Sequence, residues 1–228
     1  MRLETWLPLY GRICEDFGFD KNKDLQSARL LASMIGDRGK ESLAKVGKDF
    51  ATTVLICGGG PMLADEISSL DIEWPVIAAD NATTLLLEAG IRLDMVVTDL
   101  DGVVEDQVEA NGRGTPVFVH AHGDNQEALM RHVGKFSGAI VGTCQCPPPP
   151  GLFNFGGFTD GDRAVCICSE LGAKTIRLVG FDFENPADKP GKSKETKKRK
   201  LRWAKLVLHE LASEGVTLLG PNGESLVL

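Results

Sequence analysis

The feature that most constrains the fold is a series of short apolar runs, rich in β-branched residues, that begins near residue 52. Helix-compatible segments separate most of these runs, which read T-V-L-I-C, P-V-I-A-A, D-M-V-V-T, P-V-F-V-H, G-A-I-V-G and T-I-R-L-V-G. Continuous apolar strands that alternate with helices are typical of a parallel sheet covered on both faces. The sequence therefore predicts a Rossmann-like α/β fold with a mostly parallel sheet.

Residues 1–50 follow a different pattern. Apolar positions such as Trp6, Tyr10, Leu25 and Leu31 recur with helical spacing and show no strand-like alternation. We therefore expect a helical N-terminal segment over 1–50, followed by an α/β domain over 51–228. A chain of 228 residues, 43% of them hydrophobic, can bury a core of that kind.

Charge and hydropathy exclude several classes of function. A net charge of -7 argues against broad nucleic-acid binding, which needs a basic surface. The apolar runs are too short to cross a membrane, and the N-terminus lacks the apolar core of a signal peptide. We expect a cytoplasmic protein without a membrane partner, and a homo-oligomer is compatible with the sequence.

The six cysteines are expected to be reduced. Two C-x-C pairs, Cys144/Cys146 and Cys166/Cys168, could suggest zinc, but the second pair falls in a predicted helix. Residues two apart on a helix diverge by about 200° and cannot share a metal. We therefore interpret these cysteines as small apolar side chains of the core.

Polar or glycine-rich sequences follow five of the predicted strands. They are G-G-G-P at 58, A-D-N-A at 79, T-D-L-D-G at 98, H-A-H-G-D-N at 120 and G-F-D-F at 180. Parallel α/β sheets bind ligands at the carboxyl ends of their strands. The five strand ends are therefore expected to meet at one crevice.

The sequence T-D-L-D-G contains the strongest candidate for a metal site. On extended backbone Asp99 and Asp101 would point to the same side, and at roughly 6 Å their repulsion is on the order of 3 kcal/mol. Mg²⁺ would offset that repulsion while it holds the phosphates of a substrate. We expect Asp99 and Asp101 to bind the metal and Asp80 to complete the site or activate a hydroxyl. A solvated turn is the alternative.

Two features are candidates for phosphate binding. Gly58, Gly59 and Gly60 precede a predicted helix, where free amides favour an anion, although a tight turn without a ligand is an equal alternative. The lysine-rich run over 189–205, with Lys198 as the phosphate-binding candidate, could close over a polyphosphate or simply form a solvated face.

The sequence N-F-G-G-F-T-D-G-D-R-A, over 154–164, opens a predicted helix after a long proline-containing connection. Arg163 could make two hydrogen bonds to a phosphate, and Asp160 and Asp162 could hold a heterocycle or a metal-bound water. The alternative is a helix cap with an internal ion pair.

The sequence H-A-H-G-D-N nearly reproduces the H-x-H-x-D-H signature of metallo-β-lactamase-like hydrolases. Asn125 replaces its last histidine, and few other histidines are available. We therefore interpret His120 and His122 as polar residues at a strand end, and Asp124 and Asn125 as hydrogen-bonding or capping groups. A purely structural role is the alternative.

Taken in order, G-G-G-P, A-D-N-A-T, R-L-D-M-V-V-T-D-L-D-G, H-A-H-G-D-N, N-F-G-G-F-T-D-G-D-R-A and G-F-D-F resemble the archaeal 6-hydroxymethyl-7,8-dihydropterin pyrophosphokinase family. That family is distantly related to thiamin pyrophosphokinases. The resemblance covers roughly residues 52 to 208, and its specificity comes from the ordered combination of motifs. It makes residues 51–228 a pyrophosphokinase-like catalytic domain.

The resemblance implies an ATP-dependent, Mg²⁺-requiring transfer of diphosphate to the hydroxymethyl group of a reduced pterin. AMP is released, and the pathway is tetrahydromethanopterin or folate biosynthesis. On this basis Asp80, Asp99 and Asp101 are expected to be catalytic. The residues expected to contact the pterin are His122, Asp124, Asn125, Asn154, Phe155, Asp160 and Asp162, with Phe153 and Phe158 beside Phe155 as stacking residues.

Two other functions stay open from the sequence. D-L-D-G also resembles the first motif of haloacid-dehalogenase-type phosphatases, in which Asp99 would be the nucleophile. That motif normally ends the first strand of its domain, whereas Asp99 follows two earlier predicted strands. The second alternative is a non-catalytic nucleotide-binding module, in which the acidic residues only cap helices.

Overall fold

The structure is a computed structural model that describes residues 1–185, 193–226 and 228. In this part of the chain seven strands form one sheet in the order β5-β4-β3-β2-β1-β6-β7, and every neighbouring pair is parallel. The strands are β1 (Thr53–Cys57), β2 (Val76–Ala79), β3 (Met95–Thr98), β4 (Val117–Ala121), β5 (Ile140–Cys144), β6 (Thr175–Val179) and β7 (Thr217–Leu219).

Helices connect the strands and cover the sheet. One of them, α8, packs across β1, β2 and β3, whereas α5 packs on β2. The predicted α/β class is confirmed. The helices are α1 (Leu3–Phe17), α2 (Lys21–Ile35), α3 (Arg38–Gly47), α4 (Leu63–Ser68), α5 (Ala82–Glu88), α6 (Val104–Gly112), α7 (Gln126–His132), α8 (Asp160–Leu171) and α9 (Lys194–Ser213), with a 3₁₀ turn over Val133–Lys135.

The N-terminal segment is helical, as predicted, and it shares the core of the sheet. α2 packs on β4 and β5, and α3 packs on β5. Trp6 and Leu31 are fully buried. A Cβ atom on Gly142 of β5 would lie 2.9 Å from Cδ1 of Ile35, so α2 approaches this strand closely. The first 50 residues therefore pack as part of the α/β core.

The strand order reverses at β1. Strands β2 to β5 extend the sheet on one side of β1, and β6 and β7 extend it on the other. In open parallel sheets such a reversal leaves a crevice at the carboxyl edge, where ligands bind. The loops after β1 and β6 lie at this point, and the amide of Gly60 donates to the carbonyl of Gly180 at 2.8 Å.

The cysteines and the helices bear on two expectations from the sequence. All six cysteines are buried free thiols, and burial raises the pKa of Cys57 to about 12. Cys166 and Cys168 both lie in the core on α8.

Over the described ranges, no helix is both long enough and apolar enough to span a membrane.

Candidate active site

Three carboxylates meet at the carboxyl edge of the sheet. Asp80 directly follows β2, Asp99 directly follows β3, and Asp160 is the first residue of α8. One oxygen from each lies within 4.8 Å of the other two. Because α8 packs across β1, β2 and β3, its first residue is brought beside the two strand ends. Mg²⁺ takes oxygen ligands and is usually held by one or two carboxylates together with substrate phosphates and water, so carboxylates of this group can supply its protein ligands.

Asp80 is buried and tightly held. Its Oδ1 accepts hydrogen bonds from Thr98 Oγ1 at 2.9 Å and from Gln107 Nε2 at 3.1 Å. Burial, followed by repulsion from Asp99 and Asp101, raises the pKa of Asp80 to about 7. The backbone of Asp80 has a φ of 44°, in the left-handed region. The residue is therefore under both electrostatic and conformational strain.

Gly102 gives Asp80 the space that it occupies. A Cβ atom at position 102 would lie 2.8 Å from Oδ2 of Asp80 and 2.8 Å from Oδ1 of Asn81. The sequence analysis gave this glycine no role. Glycine at the last position of D-L-D-G is therefore explained by its close contact with the carboxylate of Asp80, which follows the neighbouring strand β2.

Asp99 is paired with a histidine from the next strand end. Its Oδ2 lies 3.3 Å from Nε2 of His122, which follows β4. Burial opposes ionisation of Asp99, but the hydrogen bond from His122 and the charges of His122 and Arg163 together outweigh it, so the pKa of Asp99 lies below its usual value. Asp99 is therefore an ionised carboxylate with a fixed orientation.

The backbone between Asp99 and Asp101 differs from the expectation. β3 ends at Thr98, and Leu100 has a φ of 66°, so the chain turns where extended backbone was expected. The amide of Asp101 donates to Oδ1 of Asp99 at 3.2 Å, and Asp101 is exposed. The expectation of extended backbone from Asp99 to Asp101 was therefore wrong, because a left-handed residue separates the two aspartates.

The structure places Asp160, in addition to the expected strand-end residues, in the carboxylate group. Asp101 remains within electrostatic range of Asp80 and Asp99 but lies outside the set of three mutually close oxygens. Metal binding by Asp99 and Asp101, with Asp80 to complete the site, stays a prediction, to which the geometry adds Asp160.

Arg163 holds Asp160 in place. Its Nη1 donates to Oδ1 of Asp160 at 2.7 Å, and its Nη2 donates to the carbonyl of Phe158 at 3.0 Å. Burial and then the charge of Asp99 raise the pKa of Asp160 well above its usual value, and Arg163 opposes that rise. The side chain of Arg163 is buried, and its guanidinium is engaged by Asp160 and by the carbonyl of Phe158. Its contact with a phosphate stays a prediction.

The first turn of α8 is fixed by a capping box. Oδ1 of Asp162 accepts from the amide and the hydroxyl of Thr159, and Oδ2 accepts from the amide of Phe158 at 2.7 Å. Asn154 similarly bonds the carbonyls of Gln145 and Cys146. The geometry thus gives Asp162 and Asn154 roles in shaping the loop, and their contact with a substrate stays a prediction.

Asn125 ties the ends of β3 and β4 together. Its Nδ2 donates to the carbonyls of Asp99 at 2.9 Å and His120 at 2.7 Å, and its Oδ1 accepts from the amide of His122 at 3.0 Å. His120 is buried, with Nδ1 3.0 Å from Oγ1 of Thr143. Asp124, by contrast, is exposed. The asparagine that replaces a histidine of the hydrolase signature therefore positions His122 against Asp99.

Asp24 is a residue of this network that the sequence analysis missed. Its Oδ1 accepts from the amide of Gly123 at 2.7 Å, and its Oδ2 accepts from the Tyr10 hydroxyl at 2.7 Å and from Nε2 of Gln145 at 2.8 Å. Asp24 lies on the buried stripe of α2 with Ala28 and Leu31. A charged residue on an apolar stripe was the signal that could have identified it.

The glycine loop and the lysine-rich run are placed as follows. The amides of Gly58 and Gly60 donate to the carbonyls of Val179 and Gly180, while Gly59 is exposed. Lys198 is exposed near the start of α9. Residues 189–192 of the lysine-rich run lie outside the described residues, so the prediction of a lid stays untested. Gly59 is the member of the triple glycine best placed to offer an amide to a phosphate.

A parallel sheet with a group of carboxylates at its carboxyl edge defines a Rossmann-like α/β protein with an acidic site. A family model described as "6-hydroxymethylpterin diphosphokinase MptE-like" matches residues 28–188. The chain belongs to this family, as the ordered motifs predicted.

Individual relatives agree with the family model. The chain is 44% identical over 189 residues to the 6-hydroxymethyl-7,8-dihydropterin pyrophosphokinase of Methanothermobacter thermautotrophicus, covering 80% of this chain and 79% of the relative. It is 40% identical over 228 residues to the enzyme of that name from Pyrococcus furiosus, covering 94% and 96%. Among solved structures, thiamine pyrophosphokinase from Bacillus subtilis superposes with a TM-score of 0.41 at 16% identity, over 74% of this chain and 59% of that one.

Proposed function

We propose that the protein transfers diphosphate from ATP to the hydroxymethyl group of 6-hydroxymethyl-7,8-dihydropterin and releases AMP. The observation that carries this proposal is the group of three carboxylate oxygens within 4.8 Å of one another at the carboxyl edge of the sheet. The names of the relatives support the acceptor and the type of reaction. The pathway would be tetrahydromethanopterin or folate biosynthesis, in the cytoplasm.

The reaction makes one bond and breaks one. The hydroxymethyl oxygen attacks the β-phosphorus of ATP, the bond from that phosphorus to the bridging oxygen of the α-phosphate breaks, and AMP leaves. The hydroxyl proton passes to a base. Chemistry of this kind depends mainly on positioning and on charge stabilisation. The protein must therefore orient both substrates and neutralise the charge of the phosphates.

In this proposal Asp80, Asp99 and Asp160 hold Mg²⁺, with Asp101 at the rim. The ion, when bound, would neutralise charge on the phosphates. His122 keeps Asp99 oriented and Arg163 keeps Asp160 oriented. Asp80 either completes the metal-binding set or accepts the hydroxyl proton. Gly59, Arg163 and Lys198 remain the candidates for direct phosphate contact.

The test is an assay for AMP. The protein is incubated with ATP, Mg²⁺ and a panel of acceptors that contains hydroxymethyl pterins and thiamin. We expect AMP only with a hydroxymethyl dihydropterin, and turnover should be abolished in Asp99→Asn, whose amide keeps the shape but loses the charge. Asp65→Asn, on the exposed face of α4, is the matched control and should keep wild-type activity.

Other results would overturn the proposal. Thiamin as the sole productive acceptor would move the protein to the related activity. Release of phosphate from a monoester without ATP, with an aspartyl-phosphate at Asp99, would establish the phosphatase alternative. ATP binding that is independent of Mg²⁺, without AMP from any acceptor, would establish a non-catalytic module.

A further inference from the structure

The loop after β6 places two aromatic rings at the switch point of the sheet. Phe181 and Phe183 are both half-buried. Their ring centroids are 6.0 Å apart, and the rings are tilted by 42°. Since β6 lies beside β1, where the strand order reverses, the pair lies at the edge of the sheet where ligands of such folds bind. The sequence analysis gave these two rings no role.

The ring of Phe181 borders the carboxylate group. A Cβ atom on Gly161 would lie 2.7 Å from Cε1 of Phe181, and one on Gly58 would lie 3.1 Å from Cδ2. The ring therefore packs directly on the backbone of the two glycines. Gly161 directly follows Asp160, so the ring packs on the residue next to a carboxylate of the proposed metal site.

We propose that Phe181, with Phe183 beside it, is the surface on which the pterin ring of the acceptor stacks. This inference rests on the proposed function and names the residues that would recognise the acceptor. A pterin is a flat heterocycle, and flat heterocycles stack on aromatic side chains with little dependence on their substituents. Phe181 is half-buried, so the residue keeps some exposed surface.

The position of Phe181 fits the pterin better than the adenine of ATP. Only the methylene carbon and the attacking oxygen separate the pterin ring from the β-phosphorus. The ribose and the α-phosphate separate the adenine from the same atom. A stacking surface that contacts the residue next to a proposed metal-binding carboxylate therefore suits the short link of the pterin better than the longer link of the adenine.

The aromatic residues that the sequence suggested for stacking are engaged elsewhere. Phe155 is 9% exposed and packs against Phe118, and Phe158 is 8% exposed and packs against Phe17. Protein atoms therefore cover most of both rings. Phe153, which is half-buried, packs nearly parallel to Phe155. Phe181, by contrast, packs on Gly161, the residue next to Asp160.

The test measures the two substrates separately. Calorimetry with the full chain, Mg²⁺ and the uncleavable analogue α,β-methylene-ATP gives the Kd of 6-hydroxymethyl-7,8-dihydropterin. A parallel titration gives the Kd of the analogue. In Phe181→Leu we expect the pterin Kd to rise about tenfold or more, while the nucleotide Kd changes less than twofold. Phe181→Tyr, which keeps the aromatic face, should bind the pterin like the wild type.

Phe50→Leu is the matched control, because Phe50 is also half-buried but precedes β1 at the opposite edge of the sheet. It should bind both substrates normally. Wild-type pterin affinity in Phe181→Leu, or a loss of nucleotide affinity instead, would overturn the inference. If Phe181→Leu does not fold, Phe183→Leu decides: weaker pterin binding with normal nucleotide binding supports the inference, and unchanged pterin binding refutes it.

Failure of the proposed function would look different. A wild-type protein that binds no pterin and forms no AMP would refute the function itself. A wild-type protein that forms AMP from the pterin, together with a fully competent Phe181→Leu, would refute only the stacking surface.

Discussion

Asp80→Asn should stabilise the metal-free protein, and the gain should grow with pH. The pKa of Asp80 is raised from 3.8 to about 7 in the folded protein. Between these values the folded state binds a proton that the unfolded state has released. Stability therefore falls as pH rises from about 4 and levels off above about 7. Asparagine carries no charge, so the variant lacks this dependence.

The magnitude follows from the pKa difference. At about 1.4 kcal/mol per pKa unit, a carboxylate shifted by roughly 3 units costs the folded state about 4 kcal/mol above pH 7 and about 1.6 kcal/mol at pH 5. Asp80 is only 6% exposed, so solvent screening reduces this cost little. The variant should thus gain about 2 to 3 kcal/mol more over the wild type at pH 8 than at pH 5.

The assay is urea unfolding in EDTA at pH 5 and pH 8. Asparagine and aspartate both tolerate the left-handed backbone of residue 80, and any remaining difference between them does not depend on pH. The change between the two pH values therefore isolates the electrostatic part. Asp65→Asn, at an exposed position, should show no such change. An equal gain in stability at both pH values would refute the electrostatic cause. Saturating Mg²⁺ should stabilise the wild type and so reduce the advantage of Asp80→Asn.

Three further predictions concern residues that support the site. Asp24→Ala leaves Tyr10, Gln145 and the amide of Gly123 without their acceptor. It should lower the free energy of unfolding in urea by about 2 to 4 kcal/mol and also lower kcat. A normal kcat would exclude a positioning role for Asp24. Gly102→Ala would push a methyl group against Asp80. It should destabilise the folded protein by about 1 to 3 kcal/mol and weaken the Mg²⁺ binding measured by calorimetry. Gly112→Ala, with open space around the new methyl group, should do neither. Thr159→Ala removes a helix cap and should lower stability by about 1 kcal/mol, as a shift in urea midpoint without a change in slope.

The sheet was predictable because its strands are encoded locally. Runs such as V-L-I-C at 54–57 are continuous, apolar and short, and they pair as central strands of a parallel sheet. The position of Asp80 and Asp99 at the carboxyl edge follows from the same pattern, because a residue directly after a parallel strand must emerge there.

Contacts between distant parts of the chain were not predictable in the same way. Asp160 joins Asp80 and Asp99 only because α8 packs across three strands. Asp24 reaches the loop after β4 across a separation of 99 residues. The turn at Leu100 was also missed, because leucine rarely adopts a positive φ and the sequence carries no signal for it. Tertiary packing decides all three.

The strain in this fold is concentrated where the carboxylates meet. Three non-glycine residues in the described part of the chain have a positive φ; one of them, Asp80, belongs to the acidic group, and another, Leu100, directly follows Asp99. Burial, followed by repulsion within this group, raises the pKa of Asp80 and of Asp160. Buried partners such as Thr98, Gln107 and Arg163 hold these side chains together against their mutual repulsion. A bound cation would relieve that repulsion, so neutralising Asp80, as in Asp80→Asn, should stabilise the metal-free fold and, at the same time, abolish its activity.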